Sequence, residues 1–156
     1  MKIYVIGTDG SETAARASKR AGELALATRA AVHVVCAYSR SGSLTTLTVG
    51  SDEFSVSNLT TAEQIAEQQA ATFRAQGVEA TSTAIDKKPA DALIDEATRL
   101  EAELIVVGNR RMQGVSRLLG SVANEVAHNA NCDVYIVKTV QSARRWEAKP
   151  RHPLSA

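Results

Sequence analysis

Five short apolar runs alternate with longer amphipathic segments along this chain, and that alternation restricts its fold more than any other feature. The runs cover residues 3–6, 32–37, 78–85, 104–107 and 134–137. Strands that alternate with helices predict a parallel sheet, because parallel strands need crossover connections. Right-handed crossovers place the helices on both faces of the sheet. We therefore expect an α/β fold with one open, doubly wound, five-stranded parallel sheet.

The segments between the runs have the periodicity of helices. Small apolar residues recur at helical spacing over residues 14–28, and Ser11 just before them is a favourable N-cap. A second helix is predicted over residues 60–75, and a third begins at Pro89, a favoured first helical position. A fourth is predicted over residues 121–130. Residues 1–140 are interpreted as one domain and residues 141–156 as a basic C-terminal tail.

Composition narrows the choice of partners. The chain has 156 residues, of which 44% are hydrophobic, 22% charged and only 4% aromatic, as expected for one globular domain with an aliphatic core. Its net charge of +1 argues against nucleic acid or a membrane surface as a partner. No apolar run is long enough to span a membrane, and the N-terminus does not resemble a signal peptide. We therefore expect a cytoplasmic protein.

Two loops should face each other at one edge of the sheet. In a doubly wound sheet, ligands bind beyond the carboxyl ends of the strands, where the direction of the connections reverses. If the strand order is 3-2-1-4-5, which periodicity alone does not establish, that point lies between strands 1 and 4. The loops that follow these strands are GTDGS at residues 7–11 and GNRR at residues 108–111.

The first loop offers a carboxylate directly before a helix. The side chain of Asp9 suits the amino or hydroxyl groups of a base or a ribose, and it suits phosphate poorly. An equally good interpretation is that Asp9 and Ser11 simply cap the first helix. The residues by themselves leave both interpretations open.

The second loop has the features of an anion site. Gly108 follows a strand, Arg110 and Arg111 can neutralise phosphates, and Gly120 with Ser121 opens the fourth helix. A glycine at a helix start lets backbone N–H groups approach an anion, and the helix dipole favours negative charge there. The competing interpretation is a glycine-containing loop with solvated arginines.

Two stretches of the chain resemble the universal stress protein family. They are IYVIGTDGSETAARA and KPADALIDEATRLEAELIVVGNRRMQGVSRLLGSVANEVAHNANCDVYIVKT, and the resemblance extends over residues 1–139. It implies the adenine nucleotide alpha hydrolase-like fold with strand order 3-2-1-4-5. It also implies a dimeric, ATP-binding regulatory module of the stress response. The homodimer would form by antiparallel pairing of the fifth strands, through Val134, Tyr135, Ile136 and Val137.

The resemblance also implies a set of ligand contacts. The ligand would be ATP or a related adenine nucleotide, with or without Mg²⁺, with the acid after strand 1 on the nucleoside and the glycine loop on the phosphates. The implied nucleotide-binding set, to which Arg110 and Arg111 are added for their charge, is Thr8, Asp9, Ala37, Val107, Gly108, Asn109, Arg110, Arg111, Gly120, Ser121 and Val122. Two departures from the family pattern stand out. Arg111 replaces the second glycine of the loop, and the run from there to Gly120 is one residue short.

Two other functions stay open at this point. One is a stress protein that binds no nucleotide and acts as a dimerisation or interaction module. The other is a phosphoacceptor switch of the receiver kind, with Asp9, Asp86 and Lys138 at strand ends. A receiver needs a second acid beside the first to hold Mg²⁺, and Glu12 is the nearby candidate. No catalytic or metal-ligating set is predicted, so slow ATP hydrolysis is the most activity we expect.

Overall fold

Strands and helices alternate throughout the computed structural model, which describes residues 1–40, 58–109 and 119–139. The elements are β1 (Ile3–Gly7), α1 (Glu12–Thr28), β2 (Ala31–Tyr38), α2 (Leu59–Ala75), β3 (Ala80–Asp86), α3 (Pro89–Arg99), β4 (Leu104–Asn109), α4 (Ser121–Asn129) and β5 (Asp133–Lys138). The predicted order of elements is confirmed. The third strand begins two residues later than predicted. Arg110, Arg111 and the predicted tail 141–156 lie outside the described residues.

The five strands form one sheet in the order β3-β2-β1-β4-β5, and all four pairs are parallel. The central strand β1 lies between β2 and β4, so that Val5 is opposite His33 on one side and Ile105 on the other. The chain moves outwards from β1 to β3 and then outwards again from β4 to β5. The direction therefore reverses between β1 and β4, which confirms the doubly wound fold and its predicted strand order.

Alternate residues of the strands build two cores, one on each face of the sheet. Ile6 and Val34 face α1 and α2. A row of alanines on α1 that includes Ala17 and Ala21 lets this helix approach the sheet closely. Val5 and Ile105, both fully buried, face α3 and α4. Central strands buried on both faces are what a parallel sheet covered by helices requires.

The helix starts differ in how their backbone N–H groups are satisfied. Ser11 caps α1 as predicted, with its hydroxyl accepting the N–H of Ala14 at 3.2 Å, and Asn58 caps α2 in the same way through Thr61 at 2.8 Å. Neither α3 nor α4 has a side-chain cap. In residues 1–40, 58–109 and 119–139, no helix has the length and apolar character needed to cross a membrane.

Candidate functional site

A pocket lies at the carboxyl edge of the sheet, where β1 and β4 end side by side. It is lined by Gly7, Thr8, Asp9, Ser11, Thr13, Ala14, Val35, Ala37, Pro89, Leu93, Val107, Gly108, Gly120, Ser121, Val122 and Ala123. Eight of the eleven residues in the implied nucleotide-binding set are among these. Asn109 is not, and Arg110 and Arg111 lie outside the described residues.

The β1–α1 turn brings Asp9 to the pocket. The N–H of Thr8 donates to the carbonyl of Val35 at 2.9 Å, which continues the pairing of β1 with β2 past the end of the strand. The hydroxyl of Thr8 accepts the N–H of Gly10 at 3.2 Å, and one carboxylate oxygen of Asp9 accepts the N–H of Ser11 at 2.9 Å. Asp9 therefore shapes the turn before α1 and also lines the pocket, so the two interpretations of this residue are compatible.

The start of α4 forms the opposite wall. Gly120 is its N-cap residue, with φ −61° and ψ 160°, and Ser121 and Val122 are the first helical residues. The first N–H groups of an α-helix have no partner inside the helix, and the N-cap residue Gly120 has no side chain that could accept those of the first turn. These N–H groups and the positive end of the helix dipole favour a negatively charged group in the pocket.

The third wall is apolar and comes from the end of β2 and the start of α3. Val35 and Ala37 are buried, and Leu93 packs beside them in the same core. Gly7 leaves room for that leucine, because a Cβ at position 7 would lie 3.1 Å from its Cδ1. Pro89 completes the wall. An apolar surface of this kind suits the face of an aromatic base.

Half of the lining lies outside the implied set, although Gly7 and Ser11 belong to the loop that was predicted to face the crevice. The pocket residues outside the implied set are Gly7, Ser11, Thr13, Ala14, Val35, Pro89, Leu93 and Ala123. One signal could have found part of them. Pro89 opens α3 directly after β3, so this helix also starts at the carboxyl edge of the sheet, as α1 and α4 do.

The side chain of Asn109 is directed at the backbone of α4. Its oxygen accepts the N–H of Gly120 at 3.0 Å. Its own carbonyl accepts the hydroxyl of Thr139 at 2.6 Å, and the carbonyl of Thr139 accepts Nη1 of Arg16 at 2.8 Å. These bonds join the end of β4, the residue after β5 and α1, next to the pocket residues Gly108 and Gly120.

Charged groups near the pocket give no support to a receiver-like metal site. The carboxylate of Glu12 pairs with Arg16 on the surface, where 81% of the Glu12 side chain is exposed. Asp86 forms an ion pair with Arg40 at 3.4 Å. Within the three described ranges, no three His, Cys, Asp or Glu residues form a group that could hold a metal ion.

Cys36 on β2 is a buried thiol that interacts electrostatically with the carboxylate of Asp9. Burial, and to a lesser extent the negative charge of Asp9, raises the pKa of the Cys36 thiol to about 12. The thiol therefore stays protonated at neutral pH and is no nucleophile.

The fold and the site define a class of protein, an α/β domain with a ligand pocket at the switch point of a doubly wound sheet. The profile of the universal stress protein family matches residues 1–138. The chain belongs to that family, which confirms the resemblance. A universal stress protein of Mycobacterium tuberculosis is 33% identical over 143 residues, which cover 88% of this chain and 97% of the relative. One from Methanocaldococcus jannaschii is 32% identical over 139 residues, covering 88% and 82%.

Solved structures of related proteins have the same fold. A universal stress protein in complex with cAMP superposes with a TM-score of 0.69 and 30% identity, covering 89% of this chain and 98% of the other. A universal stress protein from Archaeoglobus fulgidus in complex with dAMP has a TM-score of 0.65 and 28% identity, covering 88% and 98%. Both of these relatives were solved with an adenine nucleotide that carries a single phosphate.

Proposed function

We propose that this chain binds an adenine nucleotide in the pocket between β1 and β4. One observation carries the proposal: the carboxylate of Asp9 and the start of α4 at Gly120 line the same pocket. A carboxylate that accepts hydroxyl or amino hydrogens and a helix start that donates to an anion are the two complementary ends a nucleotide requires. The cAMP and dAMP complexes of the two relatives support it.

Each end of the pocket contacts a different part of the nucleotide. Asp9 accepts hydrogen bonds from the ribose hydroxyls or the base, while Ala37 and Leu93 contact the face of the base. The N–H groups of Ser121 and Val122, with the Ser121 hydroxyl, donate to phosphate oxygens. Arg110 and Arg111 are proposed to add positive charge at the phosphate end; they are outside the described residues.

Mass spectrometry and calorimetry test this proposal. We expect denaturation of the purified protein to release an adenine nucleotide, and we expect heat when AMP, cAMP or ATP is titrated into nucleotide-free protein. ATP as the ligand, and any need for Mg²⁺, are the finer part of the proposal. Comparing the three ligands with and without Mg²⁺ tests it. No nucleotide and no heat with any ligand would contradict the proposal and favour the module that binds none.

We also propose a homodimer formed through β5. This strand is at one edge of the sheet, and Val134, Tyr135 and Ile136 on it are only half-buried. An edge strand leaves a row of backbone groups unpaired, so a second copy can pair with it. Sedimentation velocity should give twice the chain mass of 16.6 kDa. A monomer at every concentration tested would contradict the dimer.

The biological role follows from the family and stays a proposal. We propose a regulatory module of the stress response in the cytoplasm, with ATP hydrolysis slow or absent. The receiver-like alternative has its own test. Labelling with acetyl phosphate would modify Asp9 if that alternative were right, and we expect no label there.

A further inference from the structure

The first observation is a hydrogen bond that joins the end of β4 to the start of α4. Asn109 is the last residue of β4, and its side-chain oxygen accepts the N–H of Gly120, eleven positions further along the chain. Gly120 is buried and is the N-cap of α4. The bond satisfies a buried amide and fixes the place where the helix begins.

The second observation is that Thr139 holds Asn109 in turn. Thr139 is only 4% exposed, and its hydroxyl donates to the carbonyl of Asn109 at 2.6 Å. Its methyl group lies next to Gly108, the residue before Asn109, since a Cβ built on Gly108 would lie 3.2 Å from Thr139 Cγ2. The two branches of this side chain therefore contact two successive residues at the end of β4.

The third observation anchors Thr139 to α1. The guanidinium of Arg16 donates to the carbonyl of Thr139 at 2.8 Å. Arg16 lies one turn after Thr13, which lines the pocket. A continuous series of hydrogen bonds, which we call the strap, thus runs from Arg16 through Thr139 and Asn109 to Gly120.

We infer that Thr139 and Asn109 are positioning residues for the phosphate end of the pocket. Neither lines the pocket, yet together they set the position of the N–H groups that begin α4. The inference rests on the proposed function and deepens it, because it assigns Asn109 a supporting role at the anion site, where the sequence predicted a ligand contact. Donors that are held in advance bind an anion without the cost of being ordered.

The test compares two ligands that differ only in phosphate. Thr139→Val keeps the shape of the side chain and removes the hydroxyl, so Asn109 loses its donor and the start of α4 can shift. We expect AMP to bind about fivefold to tenfold more weakly, which corresponds to the loss of one well-formed hydrogen bond. Adenosine should bind as it does to the original chain, within about twofold. A general loss of structure would weaken both ligands equally.

Three variants frame this comparison. Asn109→Ala removes the acceptor of the Gly120 N–H and should reproduce the loss for AMP. Thr139→Ser keeps the hydroxyl and should retain most of the AMP affinity. Thr98→Val is the matched control, because Thr98 also donates its hydroxyl to a carbonyl, that of Ile94 at 2.8 Å, but on the exposed side of α3. It should leave both affinities unchanged.

Hydrogen exchange without ligand separates this inference from the proposed function. In the free protein, the Gly120 amide should exchange faster in Thr139→Val and Asn109→Ala, while the amide of Ala130 at the other end of α4 stays protected. Unchanged exchange at Gly120, or equal losses for AMP and adenosine, would overturn the inference. If the original chain binds neither ligand, the proposed function fails, and the exchange data still decide whether the strap positions α4.

Discussion

One carboxylate oxygen of Asp9 accepts the backbone N–H of Ser11 at 2.9 Å, so the residue that turns the chain from β1 into α1 also lines the pocket. The turn needs an oxygen acceptor at this position but no charge. The proposed contact with the nucleoside uses the charge, because hydrogen bonds to an ionised acceptor are stronger than those to a neutral one. The two roles can therefore be separated by one substitution.

Asp9→Asn keeps an oxygen that can accept the Ser11 N–H and removes the negative charge. We expect a fold of nearly unchanged stability and binding of adenosine and AMP that is weaker by about tenfold for both. Thermal unfolding and calorimetry measure the two effects. Asp91→Asn, an exposed carboxylate in the first turn of α3, controls for the change in net charge. Equal affinities in Asp9→Asn and in the original chain would show that Asp9 serves the turn alone.

Gly108 lies close to three side chains that would crowd a Cβ at this position. A Cβ there would lie 3.2 Å from Thr139 Cγ2, 3.3 Å from Ala17 Cβ and 3.4 Å from Thr13 Cγ2. We expect Gly108→Ala to lower the free energy of unfolding by about 1–2 kcal/mol, as overpacked buried sites do. Denaturant titration measures this loss.

A double variant shows which neighbour causes the crowding. Thr139→Ser removes the nearest methyl group, so in Gly108→Ala/Thr139→Ser part of the loss should be recovered relative to the sum of the single variants. If the losses in the free energy of unfolding of the two single variants simply add up in the double variant, the crowding comes from α1 alone.

A buried histidine makes stability depend on pH. His33 is 7% exposed, with Nδ1 2.7 Å from the hydroxyl of Thr81 and Nε2 3.0 Å from a carboxylate oxygen of Glu96. Burial lowers the pKa of His33 below its ordinary value of 6.5; the carboxylate opposes this shift, and the charge of Arg99 adds a little to it. The unfolded chain therefore takes up the proton more readily, and stability falls as the pH drops below 6.5.

His33→Gln should flatten this dependence. The useful window runs from pH 6.5 down to 4.5. The hydrogen bond with Arg99 is the main reason that the pKa of Glu96 lies below 4.5. The stability that ionised Glu96 contributes to the fold is therefore lost only at lower pH. Urea titrations across the window measure the slope. His128→Gln, at an exposed position on α4, should keep the slope of the original chain. The same slope in both variants would contradict this account.

The sequence predicted the fold better than it predicted the walls of the pocket. The order of elements follows from the alternation of apolar runs, because each run in a parallel sheet must be buried on both faces. Periodicity does not tell which member of an apolar stripe reaches the end of the sheet, so it does not single out Leu93 as a pocket residue. Nor does it tell whether an amide at a strand end faces a ligand or a backbone. For Asn109 that depends on its position in β4 relative to Gly120, which only the tertiary structure supplies.

The central claim is that the start of α4 binds the phosphate of the ligand, and Ser121→Pro tests it most directly. Proline is well tolerated at the first helical position, and Gly120 already has the extended backbone that a residue before proline prefers. The variant therefore removes one N–H donor and one hydroxyl from the pocket while keeping the helix. Ser121→Ala removes only the hydroxyl and serves as the matched control.

The measurement is a calorimetric titration of the Ser121→Pro protein with AMP and with adenosine. The account predicts that AMP binds to Ser121→Pro at least about tenfold more weakly than to the original chain and that adenosine binds unchanged. The AMP affinity of Ser121→Ala should lie between those of Ser121→Pro and the original chain. AMP affinity that is unaffected by the proline would contradict the claim and remove the start of α4 from the binding site.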